Sequence, residues 1–271
     1  MNLIYMQNNK KFYFILITSI AFIFQYIYNN SGYFINTISE TSEISNYKPY
    51  NFKHYNMSQG AKCIVIGGTG ATGKHLIREL VDSKFVQVTS LVRKEDPSIQ
   101  SEKLKQVVVD FDHLENYKQE FQGKDVAFDV LGTTKKQAGS AEKFREIEMG
   151  IASKFSELSK EAGVRSMHLL TSTGSNPNSF FLYPKVKGEI EEKMKKEGFH
   201  YLSIFRPGFL DRGVGDRWIE NVLIKVMPSV KVSTLAKAMR IEAENELLNS
   251  PSPNTVKVYS NKEIFEIAGE K

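Results

Sequence analysis

Apolar residues in this chain fall into two rhythms. Short apolar runs rich in β-branched residues recur at Lys62 to Ile66, Phe85 to Val92, Gln106 to Val109, Val126 to Leu131 and Ser166 to Thr171. Such uninterrupted runs read as strands buried on both faces, the pattern of a parallel sheet. Between them stand segments with apolar residues at helical spacing. One is Lys74 to Val81, and another is Phe144 to Ala162, where Ile147, Ile151, Phe155 and Leu158 are expected to face a core. Further helices are expected near Trp218 to Val226 and from Thr234 to Leu248, with a last strand at Val256 to Tyr259. Strands alternating with helices predict an α/β fold, a Rossmann-like doubly wound parallel sheet. The segments after Phe205-Arg206-Pro207-Gly208 are expected to form a small C-terminal substrate-side lid.

The rhythm begins only after Met57, so residues 57–271 are read as one domain and residues 1–56 as an extension. Within the extension, Phe12 to Tyr28 is almost wholly apolar and follows Lys10 and Lys11. It is slightly short of the ~20 residues that span a bilayer comfortably. Three readings stay open: an uncleaved membrane anchor, the apolar core of a processed signal, or a start assigned too far upstream. Membrane association would run through residues 12–28, and Ser31 to Asn56 reads as a polar linker. The location expected for the catalytic portion is cytoplasmic, with or without that anchor.

Charge adds little. The chain carries +5, but four lysines and two glutamates lie in residues 1–56, which leaves +3 for the rest. No basic stripe interleaved with aromatics stands out, so a nucleic-acid partner is not expected. The single cysteine, Cys63, excludes an internal disulfide framework.

Two strings carry chemistry. Gly67-Gly68-Thr69-Gly70-Ala71-Thr72-Gly73 stands between a strand and a helix. Glycines at 67, 70 and 73 let the chain turn sharply and let a pyrophosphate approach the backbone, where a helix N-terminus supplies N–H groups. About twenty residues further on, where an NAD site usually has an acid for the ribose 2′-OH, the chain has Arg93 and Lys94. A guanidinium suits a 2′-phosphate, so the expected cofactor is NADPH. Asp110 ends another strand and either meets the adenine or caps the next helix, and Leu131 and Gly132 let the cofactor cross a strand end. The second string is Tyr183-Pro184-Lys185-Val186-Lys187, with Ser172 upstream. Tyr183 and Lys187 lie one helical turn apart, on the first turn if Pro184 takes an early position. Carbonyl reduction leaves an alkoxide that needs a proton. A phenol delivers it readily only when a nearby ammonium stabilises the phenolate. Tyr183 is thus the candidate acid, Lys187 its tuner and Ser172 the donor that orients the substrate oxygen.

At these residues the chain resembles the atypical short-chain dehydrogenase/reductases of the Tat-interactive protein oxidoreductase (metastasis suppressor) family. The matching stretches are Ile66 to Gly73, Val109-Asp110-Phe111, Phe121 to Val126, Leu131-Gly132-Thr133-Thr134, Phe181 to Glu189 and Phe205 to Gly208. The resemblance implies a Rossmann-like fold that binds NADPH, with Tyr183 catalytic. It further implies that Thr69, Gly70, Ala71, Thr72, Arg93, Lys94, Leu131, Gly132, Tyr183, Lys187 and Leu210 touch the cofactor. A regulatory protein partner is a further implication. The chain departs from the pattern after Arg212, and no candidate is found for the asparagine that many classical short-chain dehydrogenase/reductases place on the helix before the serine strand. The function expected is reduction of a small-molecule carbonyl substrate; the alternative is an NADPH-binding regulatory or scaffold protein.

Overall fold

The structure is a computed structural model that describes residues 60–213, 229–249 and 251–270. The expected membrane segment at 12–28 and the helix near Trp218 to Val226 lie outside the described residues. Among those described, no helix is long and apolar enough to cross a membrane.

Seven parallel strands form the sheet: β1 (Ala61–Ile66), β2 (Phe85–Val92), β3 (Leu104–Val108), β4 (Val126–Asp129), β5 (Ser166–Leu170), β6 (Tyr201–Phe205) and β9 (Thr255–Tyr259), in the order β3-β2-β1-β4-β5-β6-β9. A short parallel ribbon pairs β7 (Phe209–Asp211) with β8 (Ser229–Lys231). The apolar runs are explained by what covers the sheet. Cys63 and Val65 of β1 point to one apolar cluster and Ile64 and Ile66 to the other, the two-residue alternation of a strand buried on both sides.

On the first face lie α1 (Ala71–Val81), α6 (Val232–Asn249) and α7 (Asn261–Ala268). From α1, Leu76, Ile77 and Leu80 are fully buried, each contributing roughly 1.5–3 kcal/mol of apolar burial. On the second face lie a 3-10 segment (Phe111–Phe121), the helical stretch α3 (Ala141–Arg145) to α4 (Ala152–Glu161), and α5 (Leu182–Glu197). A one-turn α2 (Lys135–Ala138) precedes α3.

Three expectations change. The lid assigned to residues 234–248 and 256–259 belongs to the main layers: α6 packs against α1, and β9 is the edge strand of the main sheet beside β6. Helical spacing cannot tell a lid from a layer, because both need one apolar face. Helices also do not fill every crossover, since residues 93–103 between β2 and β3 contain no helix and β3 leads into a 3-10 segment. Finally, the inward stripe of the fourth crossover is Phe144, Glu148, Ala152 and Phe155, while Ile147 and Ile151 are only partly buried. A π segment (Glu146–Ile151) sits inside that stretch. It adds a residue to the turn and so rotates the faces on either side of it.

Polar groups fix α6 on the sheet. Glu246 accepts a hydrogen bond from Ser166 Oγ and lies 3.2 Å from His168 Nε2, and one turn earlier Glu242 accepts from Tyr201 at 2.6 Å and from Tyr259.

Candidate active site

The strand order reverses between β1 and β4, which opens a crevice at their carboxyl ends. The glycine turn fills the β1 side. Gly67 has φ +82, and a Cβ there would stand 2.6 Å from the Val130 carbonyl; a Cβ on Gly73 would stand 2.1 Å from the Gly67 carbonyl oxygen. Only glycine permits so close a packing of turn, helix and β4. Gly70 occupies the N-cap of α1 with no side-chain cap and no acid in the first turn. Thr69, Gly70 and Ala71 are exposed, whereas Thr72 is buried beside Gly73. An open helix N-terminus free of negative charge fits a pyrophosphate.

Arg93 and Lys94 stand exposed just past β2. Nearby, Lys74 forms a 2.8 Å ion pair with Asp96, which lines a small cleft with Gly68, Thr69, Ser90 and Gln106. Hydrogen bonds from Lys74 and Ser98 hold the Asp96 carboxyl well below the usual carboxylate range. Asp96 stands four residues past the end of β2, in a loop whose approach to the glycine turn no local pattern encodes. Asp110 takes the capping alternative, accepting from Asp112 N at 3.0 Å. Leu210 lies in β7 and packs against the cluster on the α6 side.

Across the crevice, Tyr183 is the second residue of α5 and Lys187 follows one turn later. The two differ sharply in exposure: Tyr183 is 44 % exposed and Lys187 4 %. The Tyr183 ring leans on Phe144, centroids 6.0 Å apart. The Lys187 ammonium sits 2.6 Å from Glu148 Oε2 and 3.5 Å from the Leu131 carbonyl oxygen. Burial alone would pull the ammonium down, but Glu148, Tyr183 and Asp129 outweigh it and hold Lys187 above the ordinary lysine range.

Glu148 and Asp129 were not anticipated. Glu148 is 1 % exposed and also accepts from Thr133 N. Asp129 ends β4 and accepts from Leu131 N at 3.0 Å, while its second oxygen is buried without a partner. Burial pushes its carboxyl up to about 6, against the Leu131 hydrogen bond and the Lys187 charge, with Glu148 adding to the rise. The signal for Glu148 was a carboxylate on an otherwise inward helical stripe.

Ser172 follows β5, and its hydroxyl oxygen is shielded from solvent with no hydrogen-bond partner. An unpartnered buried hydroxyl is uncommon in a folded core and marks a place for a further polar group. The loop carrying it docks on α5, with Asn176 N donating to the Pro184 carbonyl at 2.9 Å. Behind α5, buried Glu191 accepts from Thr171 at 2.7 Å and takes the Arg206 guanidinium on both oxygens. Arg206-Pro207 thereby braces α5, and the Pro207 carbonyl accepts from Thr173 N at 2.8 Å.

Sheet order, glycine turn and switch point together define a dinucleotide-binding protein of Rossmann type. A family model described as NAD(P)H-binding matches residues 67–226. Protein HTATIP2 from Rattus norvegicus is 33% identical over 223 residues, covering 77% of this chain and 90% of that protein. Protein FMP52, mitochondrial, from Meyerozyma guilliermondii is 31% identical and covers 77% of this chain and 96% of that protein. The chain belongs to this HTATIP2-like NAD(P)H-binding family. Among solved structures, MoeE5 in complex with UDP-glucose and NAD superposes with TM-score 0.59 at 15% identity, covering 78% of this chain and 93% of that one. The oxidoreductase ylbE from Lactococcus lactis superposes with TM-score 0.56 at 21% identity, covering 76% and 95%. The fungal relative's name says mitochondrial, so the cytoplasmic location expected from the sequence finds no support among the relatives.

Proposed function

We propose that this protein is an NADPH-dependent reductase of a small carbonyl compound. The observation that carries the reading is a buried, charged Lys187 one helical turn from a half-exposed Tyr183, on the edge of the sheet that also carries the glycine turn. A bound reduced nicotinamide supplies the hydride. The residues do the rest. Tyr183 donates its phenolic proton to the carbonyl oxygen as negative charge develops there, and the Lys187 ammonium stabilises the phenolate left behind. The Ser172 hydroxyl donates a hydrogen bond to the same oxygen, which gives its unpartnered group a partner. Thr69, Gly70 and Ala71 receive the pyrophosphate, Leu131 and Gly132 border the nicotinamide side, and Arg93 with Lys94 grips the 2′-phosphate. The names of the fungal relatives favour a mitochondrial setting over the cytoplasm.

The test is NADPH consumption against a panel of aldehydes, ketones and quinones, with Tyr183→Phe beside the wild type. Turnover by the wild type and a loss of about 10²-fold or more in kcat for the variant are expected. Tight NADPH binding with no turnover, identical in both proteins, would favour a binding protein and overturn the reductase.

A further inference from the structure

Lys187 is deeply buried, and burial works against its charge. An ammonium on a four-carbon stem in such a place needs something to hold both its proton and its position. Three groups face it: Glu148 from the π segment, Asp129 from the end of β4 and Tyr183 from its own helix. Of these, the carboxylate in contact is Glu148, at 2.6 Å. Its other oxygen is fixed by Thr133 N, so the carboxylate spans from the loop after β4 to α5. Asp129 is turned to Leu131 N instead.

We propose that Glu148 is a positioning residue for the reaction, keeping Lys187 charged and aimed at the cofactor side of the crevice. Glu148 lies within a π segment. Glu148 follows Phe144 by four residues on the inward stripe, where an apolar residue would ordinarily be packed. Single-turn π segments inside α-helices are frequent at functional sites.

The inference rests on the reading that Lys187 meets the cofactor, and its test needs no substrate. NADPH affinity is measured by the fluorescence of the bound nucleotide at pH 7 and pH 9, where a phosphate monoester with a second pKa of ~6 is about nine-tenths or more doubly ionised throughout. Wild-type affinity is expected to stay level, because Glu148 keeps the ammonium protonated. In Glu148→Gln burial is left opposed only by Asp129 and Tyr183, so the proton is lost as pH rises. Affinity should then fall about tenfold from pH 7 to pH 9. Glu148→Asp keeps the charge with a shorter reach, and should bind several-fold more weakly than wild type but equally at both pH values. Lys187→Met should be weak and level. If Lys187→Met is weakened while Glu148→Gln follows the wild type at both pH values, the role assigned to Glu148 is wrong and the site reading survives. If Lys187→Met binds NADPH as the wild type does, the site reading fails and the Glu148 proposal falls with it. Should Glu148→Gln fail to fold, wild-type affinity in Glu148→Asp would equally overturn the proposal.

Discussion

Asp129 shows how one residue ties the site to the stability of the fold. Its carboxyl is buried, pays for that burial with a pKa pushed up to about 6 from an ordinary 3.8, and leaves one oxygen unpartnered. The folded state thus prefers the protonated form. The associated stability is fully present below pH ~4 and is lost as pH rises through 6. Near pH 7.5 the ionised group costs the fold on the order of 2–3 kcal/mol. Asparagine keeps the acceptor for Leu131 N without the charge. Asp129→Asn is therefore expected to be more stable than wild type at pH 7.5, with the gap closing towards pH 4, as read by urea denaturation at a series of pH values. A destabilising charge kept beside Lys187 is the pattern of a functional position. Cys63, by contrast, is buried in β1 where desolvation pushes the thiol up, and it behaves as a small apolar residue.

At the scale of elements, α5 is where the fold meets the candidate site. Its first turn carries Tyr183, its second carries Lys187, and its inner face is braced by Glu191 on Arg206 and Thr171. Gly188 lets the Ser172 loop lie against it, since a Cβ there would come within 2.3 Å of Asn176 C and Pro177 N. Both neighbours are backbone, so the loop would have to move as a unit. Gly188→Ala is expected to destabilise the protein by about 1–3 kcal/mol and to reduce the proposed turnover by shifting the loop that carries Ser172. Denaturation curves and kcat measured on the folded variant check the two effects separately. The spacing of Tyr183 and Lys187 was legible in the sequence because i and i+4 on a helix need no tertiary information. The contact of Gly188 with Asn176 was not, because it joins two segments whose docking no local pattern encodes.

For the molecule as a whole, cofactor binding and folding are linked, because the glycine turn and the end of β4 come together only in the native state. A ligand at 100 times its dissociation constant stabilises by about 2.7 kcal/mol, which for a domain of this size corresponds to roughly 5–10 °C in Tm. NADPH is expected to raise Tm by that order and NADH by less. Arg93→Asp should remove the difference through a loss confined to NADPH. Equal losses for both nucleotides in thermal melts would remove Arg93 from the phosphate site.

The sequence by itself determined the parallel sheet, the glycine turn and the Tyr183–Lys187 pair, since each is written in residues adjacent or one turn apart, and local sterics read them directly. Strand β6, the burial of α6 and the place of β9 at the sheet edge came only from the tertiary structure, because an apolar face does not say which surface will cover it. The Asp129, Glu148 and Lys187 cluster was decided there too. Its members come from a strand end, a π segment and a helix far apart in sequence, and their charges perturb one another only once the fold has taken them out of water.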